Sequence, residues 1–332
     1  MTINNLVLPR PGTNNTSNSP QVIKAPSEEA FTSIFGNLLP KASYLETPIG
    51  RAAYYSLPPT TSTSTKTPRV LFIHGVQTPA LGLQPLYKAI SARFPSAHYV
   101  LVDLWGHGLS DTPVVPHTPE LFHTLLLALM EELGWADAHV VGYSFGASTT
   151  ASFVARYPSR VSSMVLVAPA GLVRSAQFDE VERGYLVGGE GVDEDAAREW
   201  GIGWLEGGEL VVPADWEERV GRGEVVAEAV REWEGRVHEG HVGSVVGILR
   251  DGGVFDNHAA FEQAAETKTP SLCILGELDD LCSVQELKDV GLSNVAVVSG
   301  VGHGVVRQSV PEVVDLMDAL YRAALLSSGF DV

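Results

Sequence analysis

Cysteine is nearly missing: the 332 residues hold two, Cys273 inside an apolar run and Cys282 just beyond it. That scarcity excludes a disulfide framework and any multi-cysteine metal centre, and it suits the reducing cytoplasm. Basic residues are few as well, 22 against 40 acids, for a formal charge of −18. Nucleic acid and anionic membranes are polyanions that such a chain repels, so neither is an expected partner. No stretch approaches the ~18 uncharged apolar residues that cross a bilayer. The opening "MTINNLVLPRPGTNNTSNSP" has neither the basic region nor the apolar stretch of a secretory signal. The glycosylation-type triplets at Asn14 and Asn15 are therefore read as chance matches.

What is present is material for a large core, 45% hydrophobic and only 19% charged, enough for one α/β domain carrying an insertion. Residues 1–25, rich in Asn, Ser, Thr and Pro without periodicity, predict a disordered leader. Phe31, Ile34, Phe35, Leu38 and Leu39 follow at helical spacing behind Ser27, and apolar stretches around "TPIG" predict a hairpin over 44–57. Short Val-, Ile- and Leu-rich runs then alternate with helical periodicity: "RVLFIHG" (69–75), "HYVLVDLWG" (98–106), "HVVGYS" (139–144), "VSSMVLVAPAG" (161–171), "SLCILGE" (271–277) and "VAVVSG" (295–300). That alternation is the signature of a parallel sheet wrapped by helices. Residues 173–265 differ: acidic, glycine-rich, helical where periodic, with Trp200, Trp204, Trp216 and Trp233. They predict a helical cap splitting the core into 26–172 and 266–332.

The chemistry centres on Gly142-Tyr143-Ser144-Phe145-Gly146, which ends a predicted strand and opens a predicted helix. The bare pattern also occurs as an ordinary Gly-Ser-Gly turn. Between strand and helix, however, small neighbours let a serine sit on a sharp, strained turn with its oxygen projecting over the sheet edge. Serine needs a base, itself oriented by a carboxylate. Among ten histidines, His303 in "SGVGHGVV" directly follows the last strand. Asp279 in "GELDDLC" ends the strand before it, with Asp280 and Glu277 as rivals. The backbone amides of Phe145, at the helix start, and Val76, after the bend at Gly75, are the candidate oxyanion donors.

In this order, "FIHG", "VDLWGHGLSD", "VGYSFGAS", "VLVAPAG", "LGELDD" and "GVGHG" resemble the α/β-hydrolase fold family over residues 44–325. The resemblance implies a mostly parallel eight-stranded sheet flanked by helices, with a helical cap inserted after strand six. It also implies a triad of Ser144, Asp279 and His303. Asp103, His107 and Asp111 match a family loop that shapes the top of the sheet, and His74 a scaffold position before the oxyanion turn. Ser144 argues against epoxide hydrolases and haloalkane dehalogenases of this fold, which use Asp. "VQTPAL" stands where carbon–carbon bond hydrolases often carry a glycine-rich stretch.

The expected activity is that of a serine hydrolase cleaving a carboxylic ester or lactone of a small, largely apolar molecule through an acyl-enzyme, as a monomer or homodimer. It would need no metal or organic cofactor. Tyr143, Trp200 and Trp204, with Tyr185 and Leu186, are the candidate pocket residues. A carbon–carbon hydrolase, an acyl transferase or thioesterase on the same scaffold, or a receptor that keeps the triad without turnover are the alternatives, and turnover separates the last from the others.

Overall fold

The computed structural model describes residues 6–12, 21–61 and 67–327, with side chains given up to residue 322. Eight strands form one sheet: β1 (Ser43–Thr47), β2 (Gly50–Leu57), β3 (Arg69–Ile73), β4 (His98–Val102), β5 (Ala138–Tyr143), β6 (Val161–Val167), β7 (Ser271–Gly276) and β8 (Val295–Val298). Their spatial order is β8-β7-β6-β5-β3-β4-β2-β1. From β8 to β4 every pairing is parallel, and the β1–β2 hairpin joins the β4 edge antiparallel. The central strands are apolar on both faces, as a doubly covered sheet requires. In β3, Leu71 and Ile73 pack with Val140 and Leu166 on one face, while Val70 and Phe72 pack with Val141 and Val165 on the other.

Thirteen α-helices are found among the described residues. Four of them, α1 (Glu28–Phe35), α2 (Gln84–Arg93), α3 (Pro119–Glu132) and α4 (Phe145–Arg156), precede β6, and five, α5 (Glu180–Val187), α6 (Glu194–Glu206), α7 (Trp216–Gly221), α8 (Ala227–Val237) and α9 (His241–Asp251), lie between β6 and β7. The remainder are α10 (His258–Glu266), α11 (Val284–Asp289), α12 (Val305–Gln308) and α13 (Val310–Ser327). Helix α4 lies on one sheet face with α3 and α10; α2 packs with α13 on the other. Because the helices after β3 and β5 leave toward opposite faces, the chain parts between these neighbouring strands. A crevice opens at their carboxyl ends, the position where such sheets place ligands.

Two expectations are corrected here. Of the segment 173–265, α10 joins the helix layer of the sheet: it packs along α4, with Phe261 wholly buried. Its apolar face and its place before β7 make it a crossover helix, which helical periodicity alone does not distinguish from an inserted one. Of the leader expected at 1–25, residues 1–5 and 13–20 lie outside the described residues, but the rest is tied to the body. Leu8 is buried against Gly247 of α9, where a Cβ would come within 2.9 Å of its Cδ1. Arg10 donates to the Leu186 carbonyl at 3.1 Å and to Asp251 Oδ1 at 2.8 Å. Val22–Ile23 pairs antiparallel with Thr112–Pro113. A few well-placed side chains hold these stretches, which composition averages away.

The N-terminal helix shows why local sequence suffices elsewhere. Ser27 caps α1 through Ala30 N–H at 3.1 Å, and Gly36 ends it at φ 69°. Phe31 and Phe35 then meet Trp233 of α8 edge-on, at 5.2 and 6.0 Å between ring centroids. Trp233 and Trp216 are therefore structural. No helix among the described residues is long and apolar enough to cross a membrane.

Candidate active site

β5 delivers Tyr143 to the crevice, and the chain must reverse into α4 within one residue. Ser144 takes that corner at φ 56°, ψ −118°, a conformation costing a non-glycine residue about 1–3 kcal/mol and held only when its surroundings over-determine it. They do so through glycine. A Cβ on Gly142 would stand 2.3 Å from the Gly146 carbonyl oxygen, and one on Gly146 would stand 2.1 Å from that of Ile73. Gly75 makes the same allowance from β3, because a Cβ there would come within 2.9 Å of the Ser144 Cβ. Gly146→Ala is accordingly expected to destabilise the fold by about 3 kcal/mol, read as a lower urea midpoint with an unchanged slope.

The three residues singled out from distant strand ends come within hydrogen-bond reach. Ser144 Oγ lies 2.9 Å from His303 Nε2, and His303 Nδ1 lies 3.0 Å from Asp279 Oδ2. Asp279 is sealed, its side chain 1% exposed, and its second oxygen accepts from Leu281 N–H at 3.2 Å. The His303 ring is 36% exposed and so faces the cavity while anchored from behind. The rival carboxylates lie elsewhere. Glu277 accepts from Gly300 N–H at 2.8 Å, and Asp280 is exposed on the rim of the cavity. With Nδ1–H donating to Asp279, Nε2 is the free acceptor for the serine proton. Tyr143 steadies this histidine by donating its hydroxyl to the His303 carbonyl at 3.1 Å.

Val76 and Phe145 both border the cavity, and among the described residues neither backbone N–H has a hydrogen-bond acceptor. Two unanswered donors flanking a serine are what a developing oxyanion requires. The loop carrying Val76 is fixed from below. His74 is wholly buried, with Nδ1 2.6 Å from the Gly75 carbonyl while Nε2 accepts from Leu104 N–H at 2.9 Å. Burial pushes His74 down to about 4, so it stays neutral. His107 Nε2 accepts from Gln77 N–H at 3.2 Å, and Gln77 sits at φ 69°.

Asp103 holds the neighbouring loop through Ala80 N–H, Leu109 N–H and the Tyr55 hydroxyl, at 2.9, 3.0 and 2.8 Å. Burial raises its carboxyl to about 6. Asp111 accepts from Arg51 N–H and Lys24 Nζ, both at 2.9 Å. All four residues act as scaffold. Beneath the loop, Glu234 of α8 accepts from Gly108 N–H at 3.1 Å, and His241 of α9 bonds the Gly106 carbonyl at 2.9 Å. These contacts dock α8 and α9 onto the edge of the sheet that carries Ser144.

The cavity has a volume of about 610 Å³, within the range of small-molecule sites. Of the candidate pocket residues, Tyr143 and Trp204 line it and Trp200 does not. Its ring packs edge-on against Phe178, and its Nε1–H donates to Glu182 at 3.0 Å. The two tryptophans are four residues apart on α6 and share a face, but only the one nearer the helix's end reaches the opening. Tyr185 and Leu186 are also absent from the lining; the Tyr185 ring lies tilted against Trp200 at 6.0 Å between centroids, and Leu186 is buried.

The lining is also more polar than a largely apolar substrate requires. Gln77, Thr78, Glu206, Arg231 and Arg307 join Val76, Phe145, Val173 and Leu281. Arg231 of α8 pairs with Glu206 of α6 at 3.0 Å, a contact across 25 residues that no local pattern signals. Arg307 lies four residues past His303, one helical turn, and that spacing was available in the sequence. Both cysteines are free and buried, and burial raises the Cys273 thiol to about 12, which leaves it inert. No cluster of three or more potential metal ligands is found among the described residues.

Residues 68–190 match the family model described as the alpha/beta hydrolase fold. Over 148 residues the chain is 29% identical to the 2-(acetamidomethylene)succinate hydrolase of Mesorhizobium japonicum, covering 45% of this chain and 51% of that protein. Over 106 residues it is 35% identical to the 2-hydroxy-6-oxo-6-phenylhexa-2,4-dienoate hydrolase of Comamonas testosteroni, covering 31% and 37%. The chain thus spans about half or less of the length of these curated relatives. Among solved structures, the enol-lactonase of Burkholderia xenovorans LB400 superposes with a TM-score of 0.62 at 18% identity, covering 84% of this chain and all of the other.

Proposed function

Since the chain has the α/β-hydrolase fold, we propose that it is a serine hydrolase that cleaves a carboxylic ester or lactone of a small molecule through an acyl-enzyme. The observation that carries this reading is the unbroken relay from Ser144 through His303 to Asp279, set at the wall of a cavity with two free amides beside it. In this reading α6 and α8, which supply Trp204, Glu206 and Arg231 to that cavity, act as the cap. Ser144 Oγ attacks the carbonyl as His303 Nε2 takes its proton. The Val76 and Phe145 amides bind the oxyanion, and His303 returns the proton to the leaving alcohol. Water, activated by the same imidazole, then frees the acid and restores the serine. No step requires a cofactor.

The test is hydrolysis of a panel of p-nitrophenyl esters and simple lactones by the purified protein, with labelling by a fluorophosphonate. A protein that does neither is not a serine hydrolase and fits the receptor reading. Asp279→Asn is expected to lower kcat about 10⁴-fold with the fold intact, because the amide stabilises the wrong imidazole tautomer and no imidazolium. If Asp280→Asn is the damaging change, the acid is misassigned.

Cleavage of a carbon–carbon bond is the second reading, favoured by the match to the phenylhexadienoate hydrolase. Turnover of a ring-opened dienoate with no hydrolysis of esters or lactones would establish it instead.

A further inference from the structure

Arg307 borders the same cavity as Ser144 and His303 and follows His303 by one helical turn, in α12. Its guanidinium carbon stands 5.6 Å from the centre of the Tyr143 ring, the residue before Ser144. On the other side it meets Gly82, where a Cβ would come within 3.5 Å of Nη1 and 2.5 Å of Thr78 Cγ2. The group thus sits between an aromatic ring and the backbone of Gly82, whose missing side chain makes room for Thr78 beside it. Nη1 is shielded from solvent and has no hydrogen-bond acceptor, and no carboxylate pairs with Arg307 among the described residues.

The contrast within the cavity is informative. Arg231, the other lining arginine, is already committed to Glu206 at 3.0 Å and lies 3.7 Å from Glu228. Arg307 stands unpaired in a chain where acids outnumber bases 40 to 22. A guanidinium stays charged at any working pH and presents its donors in a planar fork that fits a carboxylate. A partly enclosed cation without a counter-ion is unfavourable until an anion joins it. Tyr143 and the ring contribute only a weak quadrupolar attraction at this distance. Thr78, in the same lining, offers a hydroxyl beside it. Asp280 on the rim opposes a second negative charge, which favours a monoanionic group.

We propose that Arg307 is the substrate-anchoring residue of this site: it binds a carboxylate on the substrate, so that the enzyme selects acidic esters or lactones over neutral ones. This rests on the hydrolase reading above and replaces the largely apolar substrate expected from sequence by one with an apolar body and an acidic end.

The experiment compares mono-p-nitrophenyl glutarate with its methyl ester in wild type, Arg307→Gln and Arg307→Lys. Wild type is expected to prefer the acid at least about tenfold in kcat/KM, mostly through KM. Arg307→Gln should bring that ratio to about one, and Arg307→Lys should keep an intermediate ratio. A wild-type ratio near one, or a ratio that Arg307→Gln leaves unchanged, overturns the proposal.

Glutarate binding to Ser144→Ala, measured by calorimetry, reads the same contact without turnover. It is expected to weaken at least about tenfold when Arg307→Gln is added. Binding that depends on Arg307 without turnover of either ester would sink the hydrolase reading and keep this one. Turnover of esters with no such binding would do the reverse.

Discussion

Ser144→Ala should lower kcat for the best ester substrate by about 10⁵- to 10⁶-fold and abolish fluorophosphonate labelling. The magnitude follows from the geometry. His303 Nε2, 2.9 Å from the serine oxygen, loses the side-chain nucleophile it activates, while the two free amides remain to give a residual acceleration over water. Stability should barely move. Alanine keeps the backbone at φ 56° under the same glycine packing, and only one part-buried hydrogen bond to the imidazole is lost. Urea denaturation of the variant therefore separates a lost nucleophile from a lost fold. A variant that loses activity with its unfolding free energy lowered by several kcal/mol would indicate a structural serine.

Acid should unfold the protein between about pH 6.5 and 4. Six histidines are buried and held below their ordinary value mainly by that burial: His74, His117 and His123 near 4, His241 near 3, and His107 and His238 lowered. A depressed value means that the unfolded chain takes up the proton first. The stability each neutral ring represents is complete above its unfolded value near 6.5 and is lost as the pH falls toward the folded one. For each of the three near 4 the loss is about 3 kcal/mol, so together they reach the scale of a whole domain's stability. Asp103, raised to about 6, works in the opposite sense. Its folded form holds the proton more tightly, so its penalty is relieved as the pH drops below 6 and offsets about one histidine. Buried Glu234, also raised by its burial, works in the same sense as Asp103. The expected record is a urea midpoint that is flat above pH 7 and falls steeply below 6.5. A midpoint unchanged down to pH 4.5 would mean that these rings are hydrated or already charged.

The parts of this structure that could be read from sequence depend on local spacing. β3, β5, β6 and β7 are apolar runs of strand length, and the strand-to-helix context of Gly142–Gly146 fixes where the turn must be sharp. His303 and Asp279 stand at the ends of the last two strands, and a parallel sheet brings such ends to one edge. The parts that could not be read depend on which elements meet. α10 has the same helical periodicity as its predecessors, and only its packing on α4 assigns it to the sheet layer. Trp200 and Trp204 are alike in sequence, yet Phe178 and Glu182 claim the first. The pairing of Arg231 with Glu206, and the lack of a carboxylate partner for Arg307 among the described residues, change the character of the cavity from apolar to mixed. Charge balance within a pocket is a tertiary property, and composition, at −18 overall, points away from a cationic site.

The most direct test of the central claim is the mass of the intact protein and its peptides after treatment with a fluorophosphonate. The account predicts one adduct per chain, on the peptide carrying Ser144, with hydrolysis lost in step with labelling. An unmodified Ser144 in a protein whose ester hydrolysis is fully inhibited would contradict it.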